Sequence, residues 1–435
     1  MRIKFILYCL LLVINLKAIS LEQSLKEQSE QTNILSLEQA LIKAKKAYPK
    51  AKNEQILDEA LNLRLEKLYM NYIPHLKLNA TASYQSQVPS LPISLPNYKG
   101  VPKDQYQANI ELSQTILDSG NLWANEAINK ANVAVQKASV QNDLYKVQEA
   151  LINAFFNALL AQKQAAQNEI HLKELNKNLQ DKKTKLASGV ALPSDIDKIE
   201  IEILNTLKIK EEILALEKNA LISLNLLLGE EVFTLKEPNL KENLAFVEQN
   251  LKSGFENRPE IHYFNLKDEE ARARLGLERA KNLPYLEAYI KGGYGNPSLN
   301  FLKDEFSGYY VAGLRLNWDF SNLYTSKQQN ELMRKELLLN ASAKEEFILQ
   351  NTIEFKQGLN NIKALYKQLK QNEQIISLQE EILKSSKNQH ENGILSTNDL
   401  ISDINKLNSL NLEKNYQEIE LLLQIYKLKQ MINSW

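Results

Sequence analysis

Two short stretches with the same spacing carry the carboxylates best placed for chemistry. Gly189 is followed six residues later by Asp195, and Gly393 is followed six residues later by Asp399. Glycine before a helix is typical of a tight turn, so each aspartate is predicted in the first turn of the next helix. There the positive end of the helix dipole stabilises a carboxylate. Taken alone, the pattern indicates capped helix starts and not a catalytic pair.

No other chemistry-bearing residues form a recognisable constellation. The four histidines are scattered: His75, His171, His262 and His390. Ile394 occupies the position where a zinc-protease helix beginning His390-Glu391 would need its second histidine. The only cysteine, Cys9, lies in an apolar run near the amino terminus, which leaves no thiolate site in a mature chain. We predict no catalytic residue, no metal site, no cofactor and no enzymatic activity.

The composition is electrostatically balanced and poor in helix breakers. Fifty-three basic residues match 53 acidic residues, so the sequence gives no sign of a nucleic-acid partner. Only 13 glycines and 11 prolines interrupt 435 residues. Long continuous helices are therefore expected.

The amino end has the features of a secretory signal. Arg2 and Lys4 precede the apolar run Phe5 to Leu16, and small residues follow near Ser20. This run is shorter than the roughly 20 residues that a membrane-spanning helix needs. We predict a signal peptide over residues 1–20 and a flexible segment over residues 21–34.

The sequence consists of two related halves. Pro49 is followed 25 residues later by Pro74, and Pro259 is followed 25 residues later by Pro284. Together with the glycine-to-aspartate stretches, these landmarks recur at intervals of 204 to 210 residues. Such an interval is too long for a solenoid repeat and indicates duplication of a whole unit.

Each half contains a pair of alternating apolar and polar runs. They predict strand pairs with exposed loops over residues 74–117 and 284–320. An ordinary half-buried sheet would give the same alternation. Membrane strands are favoured by a length of about ten residues and by aromatic residues near the strand ends. These aromatic residues are Tyr84, Tyr106, Tyr294, Tyr310 and Trp318.

The remaining segments are predicted to be helical. Long hairpins are expected over residues 118–229 and 321–435, and shorter helices over residues 35–73 and 230–283. A continuous helix from Asn121 to Ser188 would be about 100 Å long. Some apolar positions recur every seven residues, as in coiled coils. The predicted seam consists of Ile196, Ile203, Leu207, Leu214, Leu221 and Leu228.

Four membrane strands cannot close a barrel by themselves. An open edge in hydrocarbon leaves backbone groups unpaired at several kcal/mol each. The subunit is therefore expected to share its barrel with other copies. Two copies would give the smallest bacterial barrel, whereas three would supply twelve strands and could enclose a passage.

At this point the sequence resembles the TolC family of outer-membrane efflux and secretion channels. The resemblance covers residues 35–435 and rests on the order and duplication of several landmarks. These are Asn257-Arg258-Pro259-Glu260-Ile261, Leu283-Pro284-Tyr285-Leu286, Leu117-Asp118-Ser119-Gly120, Leu224-Asn225-Leu226-Leu227-Leu228-Gly229 and both glycine-to-aspartate stretches. It implies a mainly α fold, in which a homotrimer shares a twelve-stranded β-barrel above a periplasmic α-barrel. A belt of shorter helices, Leu35 to Tyr48 and Leu240 to Asn257, would surround the α-barrel.

The resemblance also implies a role for the hairpin tips. Asp399 matches an aspartate that constricts the periplasmic end of the family's channels, where three copies would form an acidic iris. Ser402 stands where the next family carboxylate would fall, and Asp403 lies one turn beyond Asp399. Asp195 and Asp197 are weaker candidates in the first half. Gly189 and Gly393 are predicted turn residues, and Lys182, Lys183 and Lys185 are interpreted as a solvated face.

The expected function is passive export through a water-filled duct in the outer membrane, with the helical portion in the periplasm. The expected partners are outer-membrane lipid, a periplasmic adaptor of the membrane fusion type and an inner-membrane transporter of RND or ABC type. The cargo is expected to be drugs and other small toxic compounds, with type I protein secretion as the alternative. A structural or adhesive trimeric coiled coil is an alternative of a different class.

Overall fold

The computed structural model describes residues 34–89, 100–232, 234–249 and 254–433. The predicted signal peptide, residues 21–33 of the predicted flexible segment, and residues 90–99 of the first strand-connecting loop lie outside this description. The chain divides into two compact units. We call Lys52–Val140 with His262–Glu345 the sheet unit, and Met1–Ala51, Gln141–Ile261 and Glu346–Trp435 the helical unit.

The described residues contain eight α-helices and six strands. The helices are α1 (Leu37–Ala47), α2 (Asn53–Met70), α3 (Asn121–Ala187), α4 (Pro193–Leu228), α5 (Leu240–Gln249), α6 (Pro259–Lys281), α7 (Ser321–Glu391) and α8 (Thr397–Met431). The strands are β1 (Ile34–Leu35), β2 (His75–Tyr84), β3 (Asp104–Leu117), β4 (Thr234–Leu235), β5 (Tyr285–Asn296) and β6 (Ser307–Asn317). The predicted fold class, mainly helical with four longer strands, is confirmed. Across the described helices, none is both long and apolar enough to cross a membrane.

The sheet unit contains one antiparallel sheet in the order β2-β3-β5-β6. The two strand pairs from the two halves of the sequence therefore lie side by side, joined by β3 and β5. Near the end of strand β3, Gln114 and Thr115 continue the ladder opposite Ala288 and Glu287. A register shift follows between Thr115 and Leu117.

The main core of the helical unit forms where α1 packs against the long helices. It includes the fully buried side chains of Leu37, Phe155, Leu224 and Leu422. Complete burial of such a side chain stabilises the fold by about 1.5–3 kcal/mol. Ser36 caps α1, accepting a hydrogen bond from the backbone N–H of Gln39 at 3.3 Å.

Close helix packing explains why α7 continues through a glycine. A Cβ atom at Gly358 would lie 2.8 Å from the Cδ2 atom of Leu428. The missing side chain lets α7 approach α8. The stabilisation from this close packing outweighs the roughly 1 kcal/mol by which glycine disfavours a helix interior.

Several sequence predictions in the helical unit need correction. Residue 34 was assigned to a flexible segment, but Ile34–Leu35 pairs in parallel with Thr234–Leu235. Two-residue strands are too short to show a period of two. The belt helix predicted to reach Asn257 ends at Gln249, and Asn257 lies in a turn. Pro259 disfavours a helical conformation at Arg258, the residue before it, so a break in the helix is expected just before α6.

The buried seam of α4 also differs in part from the predicted one, of which Leu228 is buried. Leu207 and Leu214 are exposed by 41% and 40% in the single chain. Ile199, Thr206 and Ile213 are buried instead, also at intervals of seven residues. Because Thr206 is polar, the pattern of apolar residues in the sequence does not indicate this seam. Its hydroxyl is satisfied within the helix by the carbonyl of Glu202 at 2.8 Å.

Candidate functional site: hairpin tips and exposed sheet

The two hairpin tips of the helical unit close with the same backbone geometry. Gly189 and Gly393 both have a φ of +73°. The backbone N–H of Val190 donates to Lys185 O at 2.9 Å, and that of Ile394 donates to Gln389 O at 2.9 Å. These bonds satisfy carbonyls at the ends of α3 and α7 in the manner of a Schellman motif.

Asp399 lies in the first turn of α8 and is exposed. Its backbone N–H donates to the Ser396 hydroxyl at 3.1 Å, and that hydroxyl donates to the Asp399 carboxylate at 2.6 Å. Among the described residues, Asp399 has no ion-pair partner within 4 Å. The carboxylate is therefore held at the surface of the tip without a neutralising cation.

Asp403 is tied into the hairpin. The Ser386 hydroxyl donates to its carboxylate at 2.5 Å, joining α7 to α8. The side-chain amide of Gln379 also donates to the Asp403 carbonyl at 3.4 Å. Asp403 is half-buried, whereas Asp399 one turn earlier is exposed. The two aspartates thus have different environments on one helix face.

The first tip is held by charge pairs. Asp195, whose side chain is 19% exposed, lies 3.9 Å from Lys182 and 4.0 Å from Lys198. Lys183 pairs with Glu200 at 3.0 Å. Asp197 is exposed. The aspartates of the two tips are therefore not equivalent.

The interpretation of Lys182 as part of a solvated face is wrong. Its side chain is only 13% exposed, and burial lowers the pKa of its ammonium group. Lys183 is exposed, as expected of a solvated residue, and pairs with Glu200. The sequence offers no signal for this difference, because adjacent lysines in a charged run look alike until the packing of the helices is known.

A small cavity of about 80 Å³ lies between the two hairpins near their tips. Lys177, Lys182, Lys185, Lys387 and His390 line it together with Glu174, Asp181 and Glu391. Lys387 pairs with Glu174 at 2.5 Å, and the Asn405 amide donates to Glu202 at 2.9 Å, so both helices of one hairpin contact the other. Sequence reasoning interpreted Lys182 and Lys185 as a solvated face and did not group any of these residues into one site, because they come from separate hairpins. Within the described ranges, no three His, Cys, Asp or Glu side chains are grouped as metal ligands.

One face of the sheet unit is apolar across all four strands. Register aligns Leu76 with Leu112, Leu112 with Ile290, and Ile290 with Ala312. The next row contains Leu78, Ile110, Gly292 and Tyr310. Leu78 and Tyr310 are exposed by 74% and 81%, far from the burial expected for a globular core. The face is therefore a broad apolar surface that no other described residues cover as a layer.

The opposite face is polar and carries glycine–tyrosine pairs. Gly293 lies opposite Tyr309, and Gly313 lies opposite Tyr289. A Cβ atom at Gly293 would lie 2.6 Å from the Tyr309 ring. This glycine therefore accommodates close packing. At Gly292, by contrast, an added Cβ atom would meet open space.

The comparisons with known proteins agree with this architecture. Residues 251–401 match the family model described as outer membrane efflux protein. No curated protein matches the sequence. The fold is similar to that of CusC, with 12% identity over 92% of this chain and 93% of that chain and a TM-score of 0.67.

Two further structures give similar values. The CmeC outer membrane channel of Campylobacter jejuni is 14% identical over 92% of this chain and 85% of that chain, with a TM-score of 0.64. The outer membrane protein VceC of Vibrio cholerae is 13% identical over 91% of this chain and 94% of that chain, also with a TM-score of 0.64. At these identities the likeness establishes a common fold.

Proposed function

The chain carries an outer membrane efflux protein domain on a TolC-type fold, and from this premise we propose that it is one subunit of an outer-membrane exit conduit. The family and the fold are those of channels. The observation that carries the proposal is the exposed apolar face of the sheet, continuous from β2 to β6. Contact with lipid hydrocarbon would remove this apolar face from water, which is energetically favourable.

The edges of the sheet support a homotrimer. Strands β2 and β6 end the order β2-β3-β5-β6, and neither has a second partner in the part of the chain that the structure describes. In a bilayer each free edge would leave backbone groups unpaired at several kcal/mol apiece. Pairing β6 of one copy with β2 of the next satisfies both edges. Three copies supply twelve strands, enough to surround a water-filled passage.

The helical unit supports a periplasmic tunnel. Its long helices leave apolar side chains exposed, among them Leu204 at 65% and Leu226 at 79% on α4 and Leu378 at 61% on α7. Neighbouring copies would cover them by coiled-coil packing. The hairpin tips would then contact a periplasmic adaptor of the membrane fusion type. An inner-membrane transporter of RND or ABC type would supply the energy for export.

At the hairpin tips, Asp399 is the proposed constriction residue. Three copies of an exposed, unpaired carboxylate around one axis would repel one another unless cations or water lie between them. Asp195 is less suited to this role because Lys182 and Lys198 lie within 4.0 Å of it. Asp403 is less suited because it is half-buried, with its carboxylate hydrogen-bonded to Ser386 across the hairpin.

The proposed cargo is drugs and other small toxic compounds. Purified full-length protein in planar bilayers is expected to conduct ions in steps of uniform size. Deletion of the gene that encodes this chain should make the cells more sensitive to dyes and detergents. The set of proteins that the cells secrete should remain unchanged.

Each alternative gives a different result in these assays. Loss of a secreted polypeptide without a change in drug sensitivity would replace small-molecule export by type I secretion. An absence of conductance combined with loss of cell attachment would point to the adhesive coiled coil and end the conduit proposal.

A further inference from the structure

Five side chains that are charged at neutral pH lie on the polar face of the sheet, near the end where the strands join helices. Register places Lys77 beside Glu111 and Glu111 beside Lys291. Glu287 lies beside Arg315 on the neighbouring strand. The neighbouring rows place apolar side chains on the opposite face, such as Leu76 and Leu112.

Arg315 is held across the sheet by three contacts. Its guanidinium is 3.1 Å from the Glu287 carboxylate, 3.6 Å from the Glu111 carboxylate and 4.7 Å from the centre of the Tyr289 ring. A Cβ atom at Gly313 would lie 3.0 Å from the Tyr289 hydroxyl oxygen, so the glycine makes room for this ring. Arg315 therefore occupies a defined position over the ring and does not extend freely into solvent.

Arg315 and Lys77 are more exposed to solvent than the two glutamates of this group. The side chains of Glu111 and Glu287 are 15% and 17% exposed, whereas that of Arg315 is 44% exposed. Lys77 is exposed as well. Three cations and two carboxylates leave each sheet with one excess positive charge at this level.

We propose that Lys77, Glu111, Glu287, Lys291 and Arg315 form an electropositive belt that favours passage of anionic solutes over cationic ones. The inference rests on the proposed function, in which the polar face lines a water-filled passage and three copies surround it. Rings of charged side chains set ion selectivity in pores, and a confined charge of one sign concentrates its counter-ions. The cargo class that fits this belt is small anionic molecules.

The test measures the ratio of chloride to potassium permeability of the full-length protein in planar bilayers under a KCl gradient near 0.1 M. Arg315→Gln should lower the ratio by about twofold or more, because it removes a cation and uncovers two carboxylates. Glu111→Gln should raise the ratio. Both differences should shrink in 1 M salt, where the screening length falls from about 10 Å to about 3 Å.

Two control variants separate charge from other effects. Lys303→Gln removes the same charge from a residue that is 64% exposed in the loop between β5 and β6, and should leave the ratio unchanged. Arg315→Lys keeps the charge and should also preserve the ratio. If Arg315→Gln does not assemble, Lys77→Gln and Lys291→Gln should lower the ratio instead.

A conducting Arg315→Gln channel with the wild-type ratio at low salt would overturn the inference and leave the conduit intact. A wild-type protein that does not conduct at all would overturn the proposed function and the belt with it.

Discussion

The guanidinium carbon of Arg258 lies 4.6 Å from the centre of the Tyr145 ring inside the helical unit. Arg258 also donates two hydrogen bonds to Glu260, at 3.0 and 2.7 Å, and one to Asn351 at 3.1 Å. Its side chain is only 9% exposed. The planar fork of the guanidinium therefore connects the start of α6 with α3 and α7.

Replacing this fork should weaken the helical unit. We expect Arg258→Lys to lower the free energy of unfolding by about 2–4 kcal/mol, since a lysine keeps the charge but loses the paired hydrogen bonds and the stacking. Chemical unfolding followed by circular dichroism measures the change. Arg334→Lys is the matched control, because the Arg334 side chain is 75% exposed and its pair with Glu331 is worth less than about 1 kcal/mol. Equal effects of the two substitutions would contradict the assigned role.

Removing the Asp399 carboxylate should open the proposed constriction. We expect Asp399→Ala to increase single-channel conductance and weaken block by divalent cations, because three repelling and cation-binding groups are lost. The helix cap should survive, since the bond from the backbone N–H of residue 399 to Ser396 does not need the carboxylate. Asp197→Ala controls for charge removal at the other tip. Unchanged conductance and block in Asp399→Ala would argue against an acidic iris.

His171 should make the helical unit sensitive to acid. It is 6% exposed, and burial lowers its pKa below the ordinary value of 6.5, with Glu202 and Glu174 opposing this effect in part. The unfolded chain therefore binds a proton at a higher pH than the folded chain. Stability should fall as the pH drops below 6.5 toward the folded pKa, and should be fully present above 6.5.

Thermal unfolding at pH 7.5 and pH 5.5 can measure this loss. We expect His171→Gln to lose less stability between these two pH values than the wild type does. His262→Gln, at an exposed position, should behave like the wild type. The explanation fails if the His171 substitution leaves the acid-induced loss unchanged.

The turn glycines and the sheet glycines should respond differently to alanine. At Gly393 an added Cβ atom meets open space, but the φ of +73° costs an alanine about 1–2 kcal/mol. At Gly293 the added Cβ atom would lie 2.6 Å from the Tyr309 ring, so the ring must move. We expect Gly393→Ala to lower stability modestly and Gly293→Ala to impair sheet assembly, measured by heat-resistant oligomers on gels. Restored assembly in a Gly293→Ala/Tyr309→Ala double variant would identify the ring contact as the cause.

Elements with local patterns could be predicted from the amino-acid sequence alone. Alternation from Leu76 to Tyr84 specifies a strand with two unlike faces, because side-chain direction in a strand depends only on position. Gly189 and Gly393 specify the helix ends, because few other residues adopt a left-handed backbone. Duplication then implies that both halves repeat the same elements.

The different environments of similar residues became visible only in the folded chain. Lys182 is half-buried beside an exposed Lys183, and Thr206 lies in a seam that the sequence pattern predicts to be formed by leucines. Arg315 reaches Glu111 across an intervening strand, and Arg258 joins segments far apart in the chain. These contacts depend on the relative rotation of helices and the order of strands. Neither the rotation nor the strand order can be predicted from the spacing of residues along one segment, because both depend on packing between segments.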